Sequence, residues 1–338
     1  ILYGVTGEGL GHAMRARCVV EHLQKRGHSV KIMASGRAVS LLERHFTDVE
    51  AITGLTLAYR RGGVARARTV LRNAKVARRA VTENGRSLLA AAAGFGPDVC
   101  ISDFESVVHL AGRVLQVPVI SLDHHHVMTR CQHGGVGRGV DTYLAKALVA
   151  AKLPGCAHYI VSSFYAPPTA HVDTTVVGPI LRPEVLGASP GAGDHVLVYQ
   201  TSDSDRRLLA LLERVDAPFV VYGMGGPSRR GNVTLAPFDE RRFVADLASA
   251  RGVITNGGHT AISEALFLGK PVLSVPLRRH GEQLLNAAYL DRLGYGRAVR
   301  RLTSRSLRQF VAEARPLPRR VAAGNDAAFG KLDQLVAH

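Results

Sequence analysis

A histidine at the end of a glycine-rich loop is the first feature of the sequence that could carry chemistry. Glycines at positions 7, 9 and 11 follow a short apolar run and precede His12. Such a loop turns tightly, and the N-terminus of the helix after it can face an anion. The G-x-G-x-G-H spacing is neither the dinucleotide fingerprint nor a Walker A loop. Because histidine titrates near neutral pH, His12 can accept a proton from a hydroxyl nucleophile. A capping or structural histidine is the alternative.

A second glycine turn, Gly257-Gly258, follows another apolar run and opens a helical stretch at about His259. Two glycines let phosphates approach the backbone amides at a helix N-terminus, where the helix dipole favours negative charge. His259 and Thr260 can each donate a further hydrogen bond, and Glu264 can reach a ribose diol. The pattern predicts a phosphate-binding turn.

An acid–amide pair, Glu282-Gln283, follows the last apolar run of the second half. The carboxylate accepts hydrogen bonds, and the amide both donates and accepts them, which suits sugar hydroxyls. A helix cap or a surface Glu-Gln pair is the alternative for each piece taken alone. Their order along the chain, each after a predicted strand, favours one common ligand site.

Three consecutive histidines, His124, His125 and His126, follow a predicted strand in the first half. With Cys131 and His133 nearby, a metal site is one interpretation. Consecutive residues in a turn point in different directions, and no second cluster has metal-site spacing, so no metal is predicted. A role for His124 or His125 beside a second substrate, and ordinary loop histidines, remain open.

Both halves of the chain alternate short β-branched runs with helical stretches. Near-continuous apolar strands between amphipathic helices predict parallel sheets covered on both faces. Two such units predict an α/β protein with two Rossmann-like domains facing across a cleft. Ligands of these sheets bind beyond the carboxyl ends of the strands. The expected strands are 1–5, 30–34, 99–102, 119–122, 159–162, 196–199, 219–222, 233–235, 252–255 and 271–275.

The Gly/Pro-punctuated stretch 176–183 predicts the connection between the two domains. We expect an N-terminal domain over 1–180, a C-terminal domain over 181–320 and a final helix within 321–338 that packs back on the N-terminal domain. Segments 54–65 and 124–142 are expected to be variable loops.

The 338-residue chain has a formal net charge of +16, 46% hydrophobic residues and four cysteines. The hydrophobic fraction excludes a disordered basic tail. Few cysteines favour a reducing, cytoplasmic setting, and no apolar stretch reaches the roughly 18–20 residues of a membrane span.

Residues 60–86 carry nine Lys/Arg and one Glu and predict a basic amphipathic helix within 64–93. Whether this helix presents a solvated face or binds anionic lipid or an anionic acceptor remains open. The lack of interleaved aromatic residues disfavours nucleic acid.

Together these motifs resemble the GT-B fold nucleotide-sugar glycosyltransferases related to the lipid II-forming N-acetylglucosaminyltransferase and the plant-type UDP-glycosyltransferases. The resemblance covers nearly the whole chain and is strongest in Asn256-Gly257-Gly258-His259-x4-Glu264-Ala265-Leu266-x2-Gly269-Lys270-Pro271 with Glu282-Gln283. It implies that His259 and Thr260 bind the donor diphosphate and that Glu264 binds the ribose hydroxyls. Glu282 and Gln283 would bind the donor sugar.

The same resemblance makes Phe238 a neighbour of the uracil base. It places Thr201 and Ser202 near the phosphates, in a loop that lacks the glycines common in relatives. His12 falls at the position of the general base, and Asp103 ends a strand where the plant-type relatives place an Asp that orients the histidine. The residues expected on the acceptor side are Gly11, His124 and His125.

The implied function is inverting, metal-independent transfer of a sugar from a nucleotide diphosphate sugar, with a UDP sugar favoured, to a hydroxyl acceptor. The acceptor is expected to be a glycolipid, a cell-envelope lipid or a small natural product, held by the N-terminal domain while the C-terminal domain holds the donor. No cofactor and no nucleic-acid partner are expected. The expected location is cytoplasmic, peripheral on the inner membrane face through 60–86. An enzyme of the UDP-N-acetylglucosamine 2-epimerase type and a non-enzymatic nucleic-acid-binding protein are the alternatives.

Overall fold

The described residues form two seven-stranded sheets, one from each half of the chain. The computed structural model describes residues 1–337 apart from 55, 60, 61, 66, 70, 72, 74–84 and 201–206. Thr201, Ser202 and most of the basic segment 60–86 therefore lie outside the described residues. Helices alternate with the strands in both halves, which confirms the predicted α/β architecture with two Rossmann-like units.

The N-terminal sheet contains β1 (Leu2–Val5), β2 (Lys31–Ser35), β3 (Val49–Ile52), β4 (Cys100–Asp103), β5 (Val119–Asp123), β6 (His158–Ser162) and β7 (Thr174–Val177). The strands run parallel in the order β3-β2-β1-β4-β5-β6-β7. The helices of this half are α1 (Leu10–Lys25), α2 (Arg37–Leu42), α3 (Gly85–Phe95), α4 (Ser106–Leu115), α5 (Val127–Arg130) and α6 (Val140–Lys152). Val5 lies beside Asp103 in this register, so the loops after β1 and β4 meet.

The C-terminal sheet contains β8 (Val196–Tyr199), β9 (Phe219–Tyr222), β10 (Ser228–Arg230), β11 (Val233–Ala236), β12 (Gly252–Thr255), β13 (Val272–Ser274) and β14 (Gly296–Ala298). Their order is β10-β11-β9-β8-β12-β13-β14, and only the pairing of β10 with β11 is antiparallel in this described sheet. The helices are α7 (Pro183–Leu186), α8 (Arg207–Leu212), α9 (Glu240–Ser249), α10 (His259–Phe267), α11 (Gly281–Arg292), α12 (Ser304–Glu313) and α13 (Asn325–Val336). Thr255 lies beside Ser274, so the loops leading to α10 and α11 are neighbours.

Buried strands supply much of the hydrophobic core. β1, β4, β5 and β6 are buried at every residue, as parallel strands covered on both faces must be. The four cysteines are buried free thiols within this core. Among the described residues, no helix has the length and apolar character needed to cross a membrane.

The last helix, α13, lies against the N-terminal half. Phe329 stacks on His22 of α1 with 4.3 Å between ring centroids, and Asp333 Oδ1 lies 2.7 Å from His22 Nε2. Ala328 and Leu332 are fully buried in the hydrophobic cluster that includes β1 and α1. The C-terminal end of the chain is thereby fixed to the half that begins it.

Side chains of α1 also connect the two halves directly. Arg17 pairs with Glu184 at 2.7 Å and with Glu240, the first residue of α9, at 3.0 Å. A Cβ atom on Gly11 would lie 2.4 Å from Thr260 Oγ1. Glycine at this position therefore lets the first turns of α1 and α10 approach each other.

Some element predictions are wrong where the sequence pattern is short or polar. Val176 and Val177, predicted to belong to the connection between domains, end β7 and pair with β6. The predicted loop 124–142 contains α5 and the start of α6. The sequence analysis does not predict β3, β10 or β14, because these strands are three or four residues long and lack an apolar run. Within the predicted helical range 64–93, the main helix among the described residues is α3.

Candidate active site

A cavity of about 760 Å³ opens between the two halves. Loops after β1, β4, β5, β12 and β13 form its walls, so it lies beyond the carboxyl ends of strands from both sheets, where ligands of such folds bind. The residues predicted from the sequence that line it are Gly11, His12, His124, His125, Gly258, His259, Thr260, Glu282 and Gln283.

His12 and Asp103 form a buried hydrogen bond on the N-terminal side of this cavity. The distance between His12 Nδ1 and Asp103 Oδ1 is 2.6 Å, and Asp103 is fully buried. Asp103 ends β4, beside the strand that leads into α1, which explains why residues so distant in sequence meet. Because a carboxylate only accepts hydrogen bonds, Nδ1 carries a hydrogen and Nε2 is left to accept a proton.

Arg15 completes this cluster, and the sequence analysis does not predict it. Arg15 Nε donates to Asp103 Oδ2 at 2.9 Å, and Nη2 donates to Oδ1 at 2.6 Å. Nη2 also lies 3.1 Å from His12 Nδ1. Since that nitrogen already donates to Asp103, the approach of Arg15 to it is a contact between two donors. The i, i+3 spacing of His12 and Arg15 in α1 was the available clue, because it places both on one helix face.

The His125 ring covers one face of His12, and Phe104 stacks behind His125. The His125 ring stacks on His12 with centroids 5.2 Å apart, and Phe104 stacks on His125 at 4.1 Å with the ring planes 3° apart. Phe104 has φ 55°, an unfavourable conformation for a bulky residue, directly after Asp103. Burial lowers the pKa of His125 well below its usual value, so its ring is neutral.

The N-terminus of α10 forms the opposite wall. Gly257 has φ 92°, and a Cβ there would lie 2.9 Å from Ser274 Oγ, so both its conformation and its packing require glycine. A Cβ on Gly258 would meet no atom within 4 Å, because this residue borders the cavity. His259 Nδ1 is buried without a hydrogen-bond partner in the described part of the chain. Backbone amides and the helix dipole make this end a place for an anion.

A buried polar network joins the two walls through Asn286, which the sequence analysis does not single out. Its Nδ2 donates to Glu282 Oε1 at 2.6 Å and to the Gly257 carbonyl at 3.1 Å, so its Oδ1 accepts from His124 Nε2 at 2.8 Å. The His124 ring stacks on His259 with centroids 4.0 Å apart. Burial raises the pKa of Glu282 to about 7 and lowers that of His124 to about 4.

Three predicted donor contacts among the described residues, Gly257, Glu264 and Phe238, do not line the cavity. Arg182 donates to Glu264 through Nε at 2.8 Å and Nη2 at 2.9 Å, and both side chains are buried. Burial alone would lower the pKa of Arg182, but the Glu264 carboxylate holds it above its usual value. Phe238 packs on Phe243 with ring centroids 5.7 Å apart. The structure therefore gives Glu264 an ion-pair partner that the sequence analysis does not identify.

The first turn of α11 contributes a predicted residue, Gln283, and the loop before this helix contributes an unpredicted one, Arg279. Gln283 Oε1 accepts a hydrogen bond from Leu277 N–H at 3.0 Å, which fixes the start of the loop. Arg279 has φ 65° and lines the cavity. Its exposed guanidinium brings positive charge to the wall that also carries Glu282.

The N-terminal wall is largely apolar. α6 contributes Leu144, Leu148 and Val149, and the loop after β4 contributes Phe104. Leu144 and Leu148 are 49% and 53% exposed, so the apolar wall reaches the protein surface. Lys152, at the end of α6, holds its ammonium group 3.9 Å from the centre of the Phe104 ring. Such a wall can hold the apolar part of a ligand, with one cation at its edge.

His124 and His126 of the histidine run have hydrogen-bond partners in the described part of the chain, whereas His125 Nδ1 is buried without one. His126 Nδ1 lies 2.7 Å from Asp123 Oδ2, and Cys131 is a buried free thiol. Within the described ranges, no three His, Cys, Asp or Glu side chains are grouped so that they could hold a metal ion.

The two facing sheets and the cleft between them define the GT-B class of glycosyltransferases. Arabidopsis thaliana UGT89C1 complexed with quercetin has a similar fold, with a TM-score of 0.66 and 14% identity over 100% of this chain and 99% of that chain.

The chain belongs to glycosyl transferase family 1, whose sequence model matches residues 1–315. An uncharacterized glycosyltransferase from Methanosarcina acetivorans is 26% identical in an alignment that covers 88% of this chain and 85% of that protein. The UDP-N-acetylglucosamine–N-acetylmuramyl-(pentapeptide) pyrophosphoryl-undecaprenol N-acetylglucosamine transferase of Methylobacterium radiotolerans is 27% identical in an alignment that covers 97% of this chain and 92% of that protein. The protein is a glycosyltransferase, and the predicted resemblance is confirmed.

Proposed function

We propose that the protein is an inverting, metal-independent glycosyltransferase that moves a sugar from a nucleotide diphosphate sugar, with a UDP sugar favoured, to a hydroxyl acceptor. The observation that carries this proposal is the His12–Asp103 hydrogen bond of 2.6 Å on one wall of a cavity whose other wall is the N-terminus of α10. One wall supplies a base and the other supplies a place for an anionic leaving group.

The donor is assigned to the C-terminal wall. Backbone amides at Gly258, His259 and Thr260 would bind the diphosphate, and the α10 dipole would stabilise its charge as it leaves. This arrangement supplies the neutralising charge from the protein itself. Glu282 and Gln283 would bind the sugar hydroxyls. We also retain Phe238 as the neighbour of the base, and Thr201 and Ser202 near the phosphates, as proposals.

The reaction follows from the free nitrogen of His12. Nε2 removes the proton of the acceptor hydroxyl, and the oxygen attacks the anomeric carbon from the face opposite the diphosphate. The bond between that carbon and the diphosphate oxygen breaks, so the anomeric configuration inverts. Asp103 holds the Nδ1–H tautomer and stabilises the imidazolium that forms. Closure of the two halves around the substrates excludes water from the donor.

The acceptor side is assigned to Gly11, His124, His125 and the apolar wall from α6. The M. radiotolerans relative is named for an undecaprenol-linked acceptor, and the A. thaliana structure contains quercetin. We therefore propose an acceptor with an apolar body, either a cell-envelope lipid or a small natural product. A cytoplasmic location, peripheral on the inner membrane face through 60–86, belongs to the same proposal.

Nucleotide binding and nucleotide release test the proposal. UDP should raise the unfolding temperature of the protein, whereas an oligonucleotide at physiological salt should not. A screen of UDP and dTDP sugars against pooled hydroxyl compounds should then release nucleotide with at least one donor. Protection by the oligonucleotide but not by UDP, or no release from any donor, would count against the proposed function.

A further inference from the structure

Arg15 is buried in α1, lines the cavity and contacts both members of the His12–Asp103 pair. We propose that Arg15 is a positioning residue that fixes the Asp103 carboxylate and compensates its charge, so that Asp103 orients His12 without holding it as an imidazolium. The inference rests on the proposed function, in which neutral His12 is the general base.

The geometry allows Asp103 little freedom. Arg15 uses Nε for Oδ2 at 2.9 Å and Nη2 for Oδ1 at 2.6 Å, so a rigid fork contacts both carboxylate oxygens. Oδ1 also accepts the hydrogen of His12 Nδ1 at 2.6 Å. Because the Arg15 guanidinium fixes the plane of the Asp103 carboxylate, the His12 imidazole can donate to Oδ1 from one direction. Lysine could not set this plane, because an ammonium group is a point charge.

The electrostatic role follows from the groups around His12. The loop before α1, the loop after β4, the loop after β5, the end of α6 and the start of α10 all bring ionisable side chains into its surroundings. These side chains are Glu8, Asp103, Glu105, His125 and His259, which interact with His12, and Lys152, which interacts with the three acids among them. Burial keeps His125 and His259 neutral, because it lowers the pKa of both well below the usual value. The acids favour a charged His12, and Arg15 is a cation in direct contact with it.

A general base must be neutral before it can take a proton. An uncompensated carboxylate at hydrogen-bond distance stabilises the imidazolium, whereas a neighbouring guanidinium disfavours it. Removal of the Arg15 charge should therefore keep His12 protonated up to a higher pH. A purely structural Arg15 would instead change stability and leave the protonation of His12 where it is.

The test uses the full chain with Arg15→Gln, Arg15→Lys and Arg17→Gln. Arg17 is a matched control, because it is buried in the same helix and paired with acids, but its partners are Glu21, Glu184 and Glu240. NMR of isotope-labelled histidine side chains follows the titration of His12, which a His12→Gln spectrum identifies. The pH profile of kcat/KM is recorded beside it, once a donor and an acceptor are known.

Arg15→Gln should move the His12 titration midpoint, and the acidic limb of kcat/KM, upward by about one pH unit or more, a tenfold change in proton affinity. Arg15→Lys should give a smaller shift in the same direction, and it carries the test alone if Arg15→Gln does not fold. Arg17→Gln should leave the midpoint in place. Midpoints unmoved in the Arg15 variants overturn the proposal. The NMR titration needs no turnover, so this result is distinct from a failure to find any sugar transfer, which would overturn the proposed function.

Discussion

His12 offers one ring nitrogen to a substrate, because Nδ1 donates its hydrogen to Asp103. Other histidines line the same cavity, and burial lowers the pKa of each of them: His124, His125, His259 and His280. These four rings remain neutral. Among the described contacts, none of them has a hydrogen bond to a carboxylate that would stabilise a proton taken from a substrate. The Asp103 contact therefore favours His12 over the other cavity histidines as the proposed base.

Burial raises the pKa of Glu282, one of the residues that line the cavity, to about 7. Its pKa in the folded protein is about 7, against an ordinary value of 4.5, so its contribution to the free energy of unfolding falls as pH rises from about 4.5 through about 7. The Glu282→Gln variant cannot ionise at this position, so it does not lose this part of the free energy of unfolding as pH rises. Relative to the wild type, the variant should gain up to about 3 kcal/mol of unfolding free energy between about pH 5 and about pH 8.

Urea denaturation at the two pH values measures this difference. Glu43→Gln is the matched control, because Glu43 is exposed and the same change in charge should leave the difference near zero. If Glu282→Gln follows the wild type at both pH values, the ionisation of Glu282 is not linked to folding in the way its burial implies.

At the scale of elements, α10 carries two different features. Its N-terminus borders the cavity, whereas Glu264, farther along the same helix, is bound by Arg182 from the segment between the sheets. Glu264→Ala leaves a buried guanidinium without its carboxylate and should lower the free energy of unfolding by about 3–5 kcal/mol. The paired change Arg182→Met/Glu264→Leu removes both charges and should recover most of that loss, as chemical denaturation would measure.

The paired variant also isolates the predicted contact between Glu264 and the ribose. If Glu264 binds the ribose hydroxyls, the folded double variant should bind UDP more weakly by about 1–3 kcal/mol in a calorimetric titration. UDP affinity equal to that of the wild type would assign Glu264 to the ion pair alone.

The first turns of α1 and α10 meet at Gly11, where a Cβ would lie 2.4 Å from Thr260 Oγ1. The methyl group of Gly11→Ala fits only if the Thr260 side chain rotates or the two helices separate, and either change alters the geometry between His12 and the proposed donor site. Turnover should fall by about 10–100-fold, since a small misplacement of a catalytic group is costly. Gly330→Ala is the control: it lies in α13 with no atom within 4 Å of the added Cβ, and it should add about 1 kcal/mol of stability without changing turnover. Wild-type turnover in Gly11→Ala would show that this close approach is not needed.

For the whole molecule, alternating apolar strands and helices were enough to predict two facing sheets. The glycine turns were enough to place His12 and His259 at opposite walls of one cavity. The polar partners could not be predicted, because they come from distant parts of the chain: Arg15 meets Asp103 across 88 positions, and Arg182 meets Glu264 across 82. From sequence alone, a single arginine on a helix is expected to be a solvated charge. Only the packed structure shows which carboxylate it binds.

The net charge of +16 also belongs to the whole molecule, and residues 60–86, which carry much of it, are mostly outside the described part of the chain. If this segment attaches the protein to anionic lipid, neutralising Arg66, Arg68, Arg72 and Arg78 should reduce sedimentation with anionic vesicles. Neutralising a matched set of four exposed arginines in the C-terminal half should have little effect: Arg300, Arg301, Arg305 and Arg308. Equal sedimentation of the two variants would show that this segment does not attach the protein to the vesicles and is instead a solvated surface.

Nucleotide release by His12→Ala tests the central claim most directly, because it separates the base from the donor site. With a donor and acceptor found in the screen, His12→Ala should turn over about 10²–10⁴-fold more slowly, while UDP still raises its unfolding temperature as in the wild type. His22→Ala, in the same helix but paired with Asp333, controls for the loss of an α1 histidine and should stay close to wild-type turnover. Wild-type turnover in His12→Ala would contradict the claim that His12 is the base of this glycosyltransferase.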